Sequence, residues 1–207
     1  MKSLIVVDIQ PSTHRFHKNI NEPILKYIKT NFKKYENIIW FYNNDIKVGI
    51  TDDEDEVLKY IKNYRVLGEN QIADIYFIPK NYNFFRNWMD IGIEEEFIKK
   101  VVRYMIRNDI DSSLDIDDFA MEMLIETFYD VPDGVDVKEE YDYLWEDAIN
   151  MPNFDWNSIR NLKEVDICGG GRNRCLAEMK LLLESSGVKV NVIEELTYMG
   201  DAGKEKI

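Results

Sequence analysis

The sequence predicts an α/β fold: three layers, α/β/α, around a mostly parallel sheet covered on both faces. Short apolar, β-branched runs alternate with segments of helical period, the pattern of strand–helix–strand crossovers. A length of 207 residues fits one sizeable core. Leu4 to Val7, bounded by charge, reads as a strand buried on both faces. Pro23 then opens a helical pattern through Ile24, Leu25, Ile28 and Phe32. Ile38 to Tyr42 is a second buried strand, and Ile72 to Ile78, ending at Pro79-Lys80, a third. Helical period returns over Glu94 to Ile106 through Phe97, Ile98, Val101, Val102 and Met105. Val165 to Cys168 is a fourth strand, closed by Gly169, Gly170 and Gly171. A helix carrying Leu176, Met179, Leu182 and Leu183 follows and stops at Gly187; Val188 to Ile193 is the fifth strand. Parallel strands so connected imply right-handed crossovers.

Charge divides the chain. Lys and Arg number 26 against 39 Asp and Glu, a net −13. Between Asp109 and Asp147 lie fifteen acidic residues and one basic residue, Lys138, a local −14. The remainder is nearly neutral. Within the acidic stretch, Ile116, Phe119, Ala120, Met123, Leu124 and Phe128 keep helical spacing. After the turn at Val131-Pro-Asp-Gly134, Tyr141, Leu144, Trp145, Ala148 and Ile149 do the same. This reads as an acidic helical hairpin inserted at about 109–150 into a single domain spanning 1–207. Its outer faces are either simply solvated or a docking surface for a basic partner.

Composition excludes several classes. Net negative charge repels phosphate backbones and anionic lipid, so neither nucleic acid nor a membrane is an expected partner. No apolar run approaches the roughly 20 residues of a membrane span, and the N-terminus lacks the apolar core of a signal peptide. Cys168 and Cys175 do not form a disulfide framework, and two histidines exclude a His-rich metal site. A reduced, cytoplasmic protein is expected. Asp109, Asp111, Asp115 and Asp117 superficially resemble a calcium loop, but Leu114 and Ala120 stand where it needs Gly and Glu. The glycine run has neither dinucleotide-loop nor phosphate-loop spacing. No cofactor is expected.

Ligands of open parallel sheets collect beyond the carboxyl ends of the strands. Asp8 follows the first strand, Lys80 the third, and Cys175 lies just past the fourth, opening a helix. A thiol there feels the positive end of the helix dipole, and a nearby ammonium favours thiolate further. A carboxylate can take the thiol proton and deliver it to a leaving group. Taken singly, Asp is more often a turn residue, Lys a solvated one and Cys a core residue; Cys168, inside a strand, is assigned to the core.

Three blocks resemble the isochorismatase-like cysteine hydrolases, the superfamily that includes nicotinamidases. They are Leu-Ile-Val-Val-Asp8-Ile-Gln10, Ile78-Pro-Lys80-Asn-Tyr-Asn-Phe-Phe85, and Val165-Asp-Ile-Cys-Gly169-Gly-Gly-Arg-Asn-Arg-Cys175-Leu. The resemblance leaves out the acidic insert and the C-terminus. It implies Cys175 as nucleophile, Asp8 as general acid/base and Lys80 as the stabilising cation. It also implies an oxyanion hole from the Gly171 and Cys175 backbone N–H groups, with a cis bond between Gly170 and Gly171, a form that costs about 2.5–4 kcal/mol outside proline. The reaction implied is attack on the carbonyl of a small amide, loss of ammonia or amine, and hydrolysis of the thioester.

Departures from the family pattern shape the expectation. Where nicotinamidases carry a metal site after the second strand, this chain has Asn43 near the Asp position and no histidine. His14 and His17, in the loop after Asp8, read as surface or packing residues, so no metal is expected. Arg172 and Arg174 flank the turn before the nucleophile; Arg172 is a candidate for a substrate carboxylate, with outward solvation as the alternative. Phe16, Tyr82, Phe84, Phe85 and Trp88 are candidates to wall the pocket, or else ordinary core residues. The chain ends soon after the fifth strand, so its sheet edge needs cover from the insert or from another subunit of a homo-oligomer. The reading is a metal-independent cysteine amidohydrolase. Its competitor is a catalytically silent interaction protein on the same scaffold, its acidic hairpin docking a basic partner.

Overall fold

The structure, a computed structural model, describes residues 2–44, 52–64, 75–80, 85–110, 116–144, 159 and 161–198, with the backbone alone at 15–17 and 86–87. The chain divides into two compact units, Met1–Tyr82 with Leu162–Ile207, and Asn83–Asn161. The first holds a five-stranded, wholly parallel sheet: β1 (Lys2–Val7), β2 (Tyr35–Asn43), β3 (Ile75–Lys80), β4 (Glu164–Gly169) and β5 (Lys189–Val192), in the order β3-β2-β1-β4-β5. Each expected strand is present, with shifted ends.

Side-chain alternation sorts the two faces. Leu4 and Val6 of β1, Ile38, Trp40 and Tyr42 of β2 and Cys168 of β4 share a core with α1 (Pro11–Asn31) and α2 (Glu54–Asn63). Ile5, Val7, Ile39, Phe41 and Ile167 therefore point to the opposite face, where α7 (Cys175–Ser185) packs on β1, β4 and β5. β1 is buried from Ser3 to Val7, as a central parallel strand must be. β3 and β5 are the half-exposed edges. Pro79 has no N–H to donate, and an edge strand is where that is tolerated; it pairs with Tyr42.

The first helix begins earlier than expected. Pro11 occupies the opening turn, Gln10 caps it, and Pro23 lies inside the helix instead of starting it. The carbonyl that Pro23 leaves without an intrahelical donor belongs to Asn19, and both residues are exposed, so water can satisfy it. His14 is thus helical, not in a loop. Its ring nitrogens meet the hydroxyls of Tyr60 at 2.6 Å and Tyr64 at 2.9 Å, tying α1 to α2.

At the amino ends of the strands, Asp166 gathers four elements. It accepts from Lys2 Nζ at 2.6 Å, Asn191 Nδ2 at 2.7 Å and the Tyr35 hydroxyl at 2.8 Å. Burial works against its charge, but the bonds from Lys2, Asn191 and Tyr35 outweigh burial and hold the carboxyl below the usual range. Its folded pKa thus lies under the unfolded value of about 3.9. The stability it contributes is full above that value and is lost as pH falls through the folded pKa. Urea unfolding below pH 4 is expected to weaken less steeply with acid in Asp166→Asn than in the wild type; equal slopes would contradict this role.

The second unit contains α3 (Arg86–Asp90), α4 (Glu95–Asn108), α5 (Asp118–Tyr129) and the short α6 (Val137–Glu140). The expected helix at 94–106 is α4, and it belongs here. Phe97, Ile98, Val101, Val102 and Met105 form its buried face. Ala120, Met121, Leu124 and Ile125 form that of α5. The unit therefore begins at Asn83, well before the expected insertion at 109–150. Of the expected hairpin, α5 is described; Trp145, Ala148 and Ile149 lie outside the described residues. Asp117 caps α5 by accepting from Ala120 N at 2.7 Å, which is a helix-start role and not a calcium one; Asp111 and Asp115 lie outside the described residues.

Candidate active site

The strand order reverses at β1: β2 and β3 extend to one side, β4 and β5 to the other. The crevice between the carboxyl ends of β1 and β4 is where such a sheet binds ligands. Asp8 ends β1 with a left-handed backbone, φ 56°, a conformation Asp tolerates better than most residues. Its N–H donates to Phe41 O at 2.9 Å, and its carbonyl accepts from Thr13 Oγ1 at 2.8 Å. Gln10, fully buried, anchors the same corner: Nε2 donates to Asn43 O at 2.8 Å and Asp52 Oδ2 at 2.6 Å, while Oε1 accepts from Asn43 N at 2.6 Å.

Lys80 ends β3, two strands from β1, a span of about 9.6 Å at ordinary strand spacing. A lysine stem covers most of that distance. Its Nζ lies 3.1 Å from Asp8 Oδ2, with side-chain exposures of only 3% and 6%. Asp8 Oδ1 is buried and makes no well-formed hydrogen bond with a described residue. Cys175 opens α7, partly exposed, with its thiol within electrostatic reach of both Lys80 and Asp8. The structure therefore brings together the three residues expected to meet.

The electrostatics correct one expectation. Burial pushes the Cys175 thiol up to about 12; Lys80 pulls it down, while Asp8 and Glu178 push it up further. Burial therefore favours the neutral thiol over the thiolate that a helix N-terminus and a lysine alone would favour. Burial also works against the Lys80 ammonium, but Asp8, Cys175 and Glu178 outweigh it and hold its pKa above the usual lysine value. Glu178, 2% exposed, was not an expected member of the site. Its signal is helical: three residues past Cys175, it shares that residue's face of α7.

The turn before Cys175 is built differently from the expectation. The Gly170–Gly171 bond is trans, as are all described peptide bonds. The chain reverses instead through two successive glycines of positive φ, Gly169 at 85° and Gly170 at 53°. A Cβ on Gly169 would sit 2.2 Å from Val7 O, so only glycine lets β4 end this close to β1. Gly171 O accepts from Arg174 N and Leu176 N, at 2.9 and 3.0 Å. Neither Gly171 N–H nor Cys175 N–H donates to another described residue.

Other expected site residues are engaged within their own units or not described. Arg172 does not present a free guanidinium: Nε donates to Thr197 Oγ1 at 2.8 Å, Nη2 to Glu194 O at 2.6 Å, and Nη1 pairs with Glu194 Oε2 at 2.8 Å. It braces the turn after β5. Phe85, 2% exposed, packs on Trp88 inside the second unit, ring centroids 5.7 Å apart. Phe16 is on α1, its side chain outside the described residues, as are Tyr82 and Phe84. Cys168 is wholly buried core, its thiol pushed up by burial. Among the described residues, no group of three His, Cys, Asp or Glu side chains is arranged to hold a metal.

No protein-family model, curated protein or solved structure matches the chain.

Proposed function

We propose that the chain is a cysteine amidohydrolase of the isochorismatase-like kind, cleaving the C–N bond of a small amide through a thioester. The observation that carries this reading is the Lys80–Asp8 pair beside Cys175 at the switch point of the sheet. Burying two opposite charges in a fold gains little stability over apolar residues of the same size. Perturbed ionisable groups of complementary chemistry in a cleft mark reaction sites instead.

The neutral thiol fits proton transfer within the encounter, not a preformed thiolate. Asp8 takes the proton from sulfur as the sulfur attacks the carbonyl carbon. The Gly171 and Cys175 N–H groups receive the carbonyl oxygen as it becomes charged. Asp8 then returns the proton to the departing nitrogen, and ammonia or an amine leaves. Water, its proton taken by Asp8, attacks the thioester; the acid is released as Asp8 returns that proton to the departing Cys175 sulfur. Lys80 stays protonated throughout and keeps Asp8 paired whenever it is ionised.

Ammonia release over a panel of small primary amides tests the reading. Cys175→Ala is expected to abolish release, and Asp8→Asn to lower it by about 10²–10⁴. A brief incubation followed by mass measurement should show one acyl group on Cys175 and none on Cys168. Release that persists in Cys175→Ala would overturn the proposal.

A further inference from the structure

The Asn83–Asn161 unit contains a cavity of about 540 Å³ lined by Ile91, Gly92, Ile93, Glu94, Tyr129 and Tyr143, a volume typical of small-molecule sites. Ile91 and Ile93 supply aliphatic surface just before α4, and Ile91 stands 52% exposed. Tyr129 and Tyr143 supply aromatic surface. Tyr141 holds them in place, stacked on Tyr129 with centroids 5.3 Å apart and lying 6.2 Å from Tyr143.

Glu94 is the one charged residue of the lining. It precedes α4 at the capping position, yet its side chain makes no cap bond. Its neighbours Glu95 and Glu96 share Lys99. Glu94 has no ion-pair partner among the described residues.

A lone carboxylate beside two phenol rings is the chemistry that recognises an organic cation. Ring faces carry negative charge density that attracts an ammonium group, the carboxylate balances it, and the isoleucines take the alkyl substituents. Burial first, and then the charges of Tyr143, Glu94 and Tyr141, push the Tyr129 hydroxyl up to about 12, so the ring is a neutral phenol. An anion is disfavoured twice. Glu94 repels it, and this unit holds twenty acidic against seven basic residues, the whole net charge of the chain. A hard metal cation would find one carboxylate where it needs about six oxygen ligands. The geometry points to a binding site for a small alkylammonium compound in this cavity, with Glu94 as counter-ion and Tyr129 and Tyr143 as aromatic walls.

Calorimetric titration of the full chain with tetramethylammonium chloride tests this, against sodium chloride at matched ionic strength and neopentyl alcohol as the uncharged analogue. Saturable binding of tetramethylammonium alone is expected. Glu94→Gln and Tyr143→Leu alter exposed positions and leave the fold in place. Each should weaken binding by about five- to thirtyfold, while Tyr143→Phe, which keeps the ring, should retain it. Heat that sodium reproduces, equal binding of the alcohol, or full affinity in both weakening variants would overturn the assignment. So would a loss in Tyr143→Phe as large as in Tyr143→Leu.

Discussion

Replacing Lys80 with methionine is expected to destabilise the fold by about 3–5 kcal/mol at neutral pH, because it leaves Asp8 buried without its cation. Denaturant unfolding at pH 7 measures that loss. The double variant Asp8→Asn, Lys80→Met should regain most of the stability and none of the hydrolysis. If the single variant is as stable as the wild type at pH 7, Asp8 does not depend on Lys80 for the compensation of its burial. Hydrolysis should fall with Lys80→Met at every pH, since the buried ammonium lowers the Cys175 pKa against the push of burial, Asp8 and Glu178.

Gly169→Ala is expected to be the most disruptive single-methyl addition in the sheet unit. The left-handed backbone alone costs a non-glycine residue about 1–3 kcal/mol. Gly187 has nearly the same φ, 82° against 85°, but nothing within 4 Å of a Cβ. Gly187→Ala thus measures the backbone cost alone. The loss in Gly169→Ala should exceed it clearly, because the added carbon meets the carbonyl of Val7 at 2.2 Å and must displace the strand that carries Asp8. Comparing the two midpoints in urea isolates that clash. Equal losses would mean that β1 and β4 can part there without cost.

The strands were legible because parallel strands buried on both faces are continuous apolar runs, as Leu4 to Val7 and Ile38 to Tyr42 are. The meeting of Asp8, Lys80 and Cys175 was legible because two of them sit at strand ends and the third opens a helix, places that apolar runs and a glycine turn mark in one dimension. What was not legible depends on partners distant in sequence. Pro23 looks like a helix start until Gln10 and Pro11 are seen to start that helix thirteen and twelve residues earlier. The thiol's ionisation depends on its depth and on Glu178, and neither burial nor a side chain's direction is written in spacing. Arg172 next to a nucleophile suggests anion binding; only the return of the chain to Glu194 and Thr197 shows it to be a brace. The trans glycine turn was hidden for the same reason, since its tightness is set by Val7, 162 positions away. The boundary at Asn83 follows from which helix faces pack together, which acidity alone does not reveal.

The left-handed backbone of Asp8 has a practical consequence for testing the proposed hydrolysis by substitution. Alanine or valine at that position would change the main chain as well as the carboxyl group, and lost turnover could not be traced to chemistry. Asparagine accepts the same backbone and nearly the same volume. Asp8→Asn is therefore the variant to soak with uncleaved ligand, since the crevice it leaves should keep its native outline.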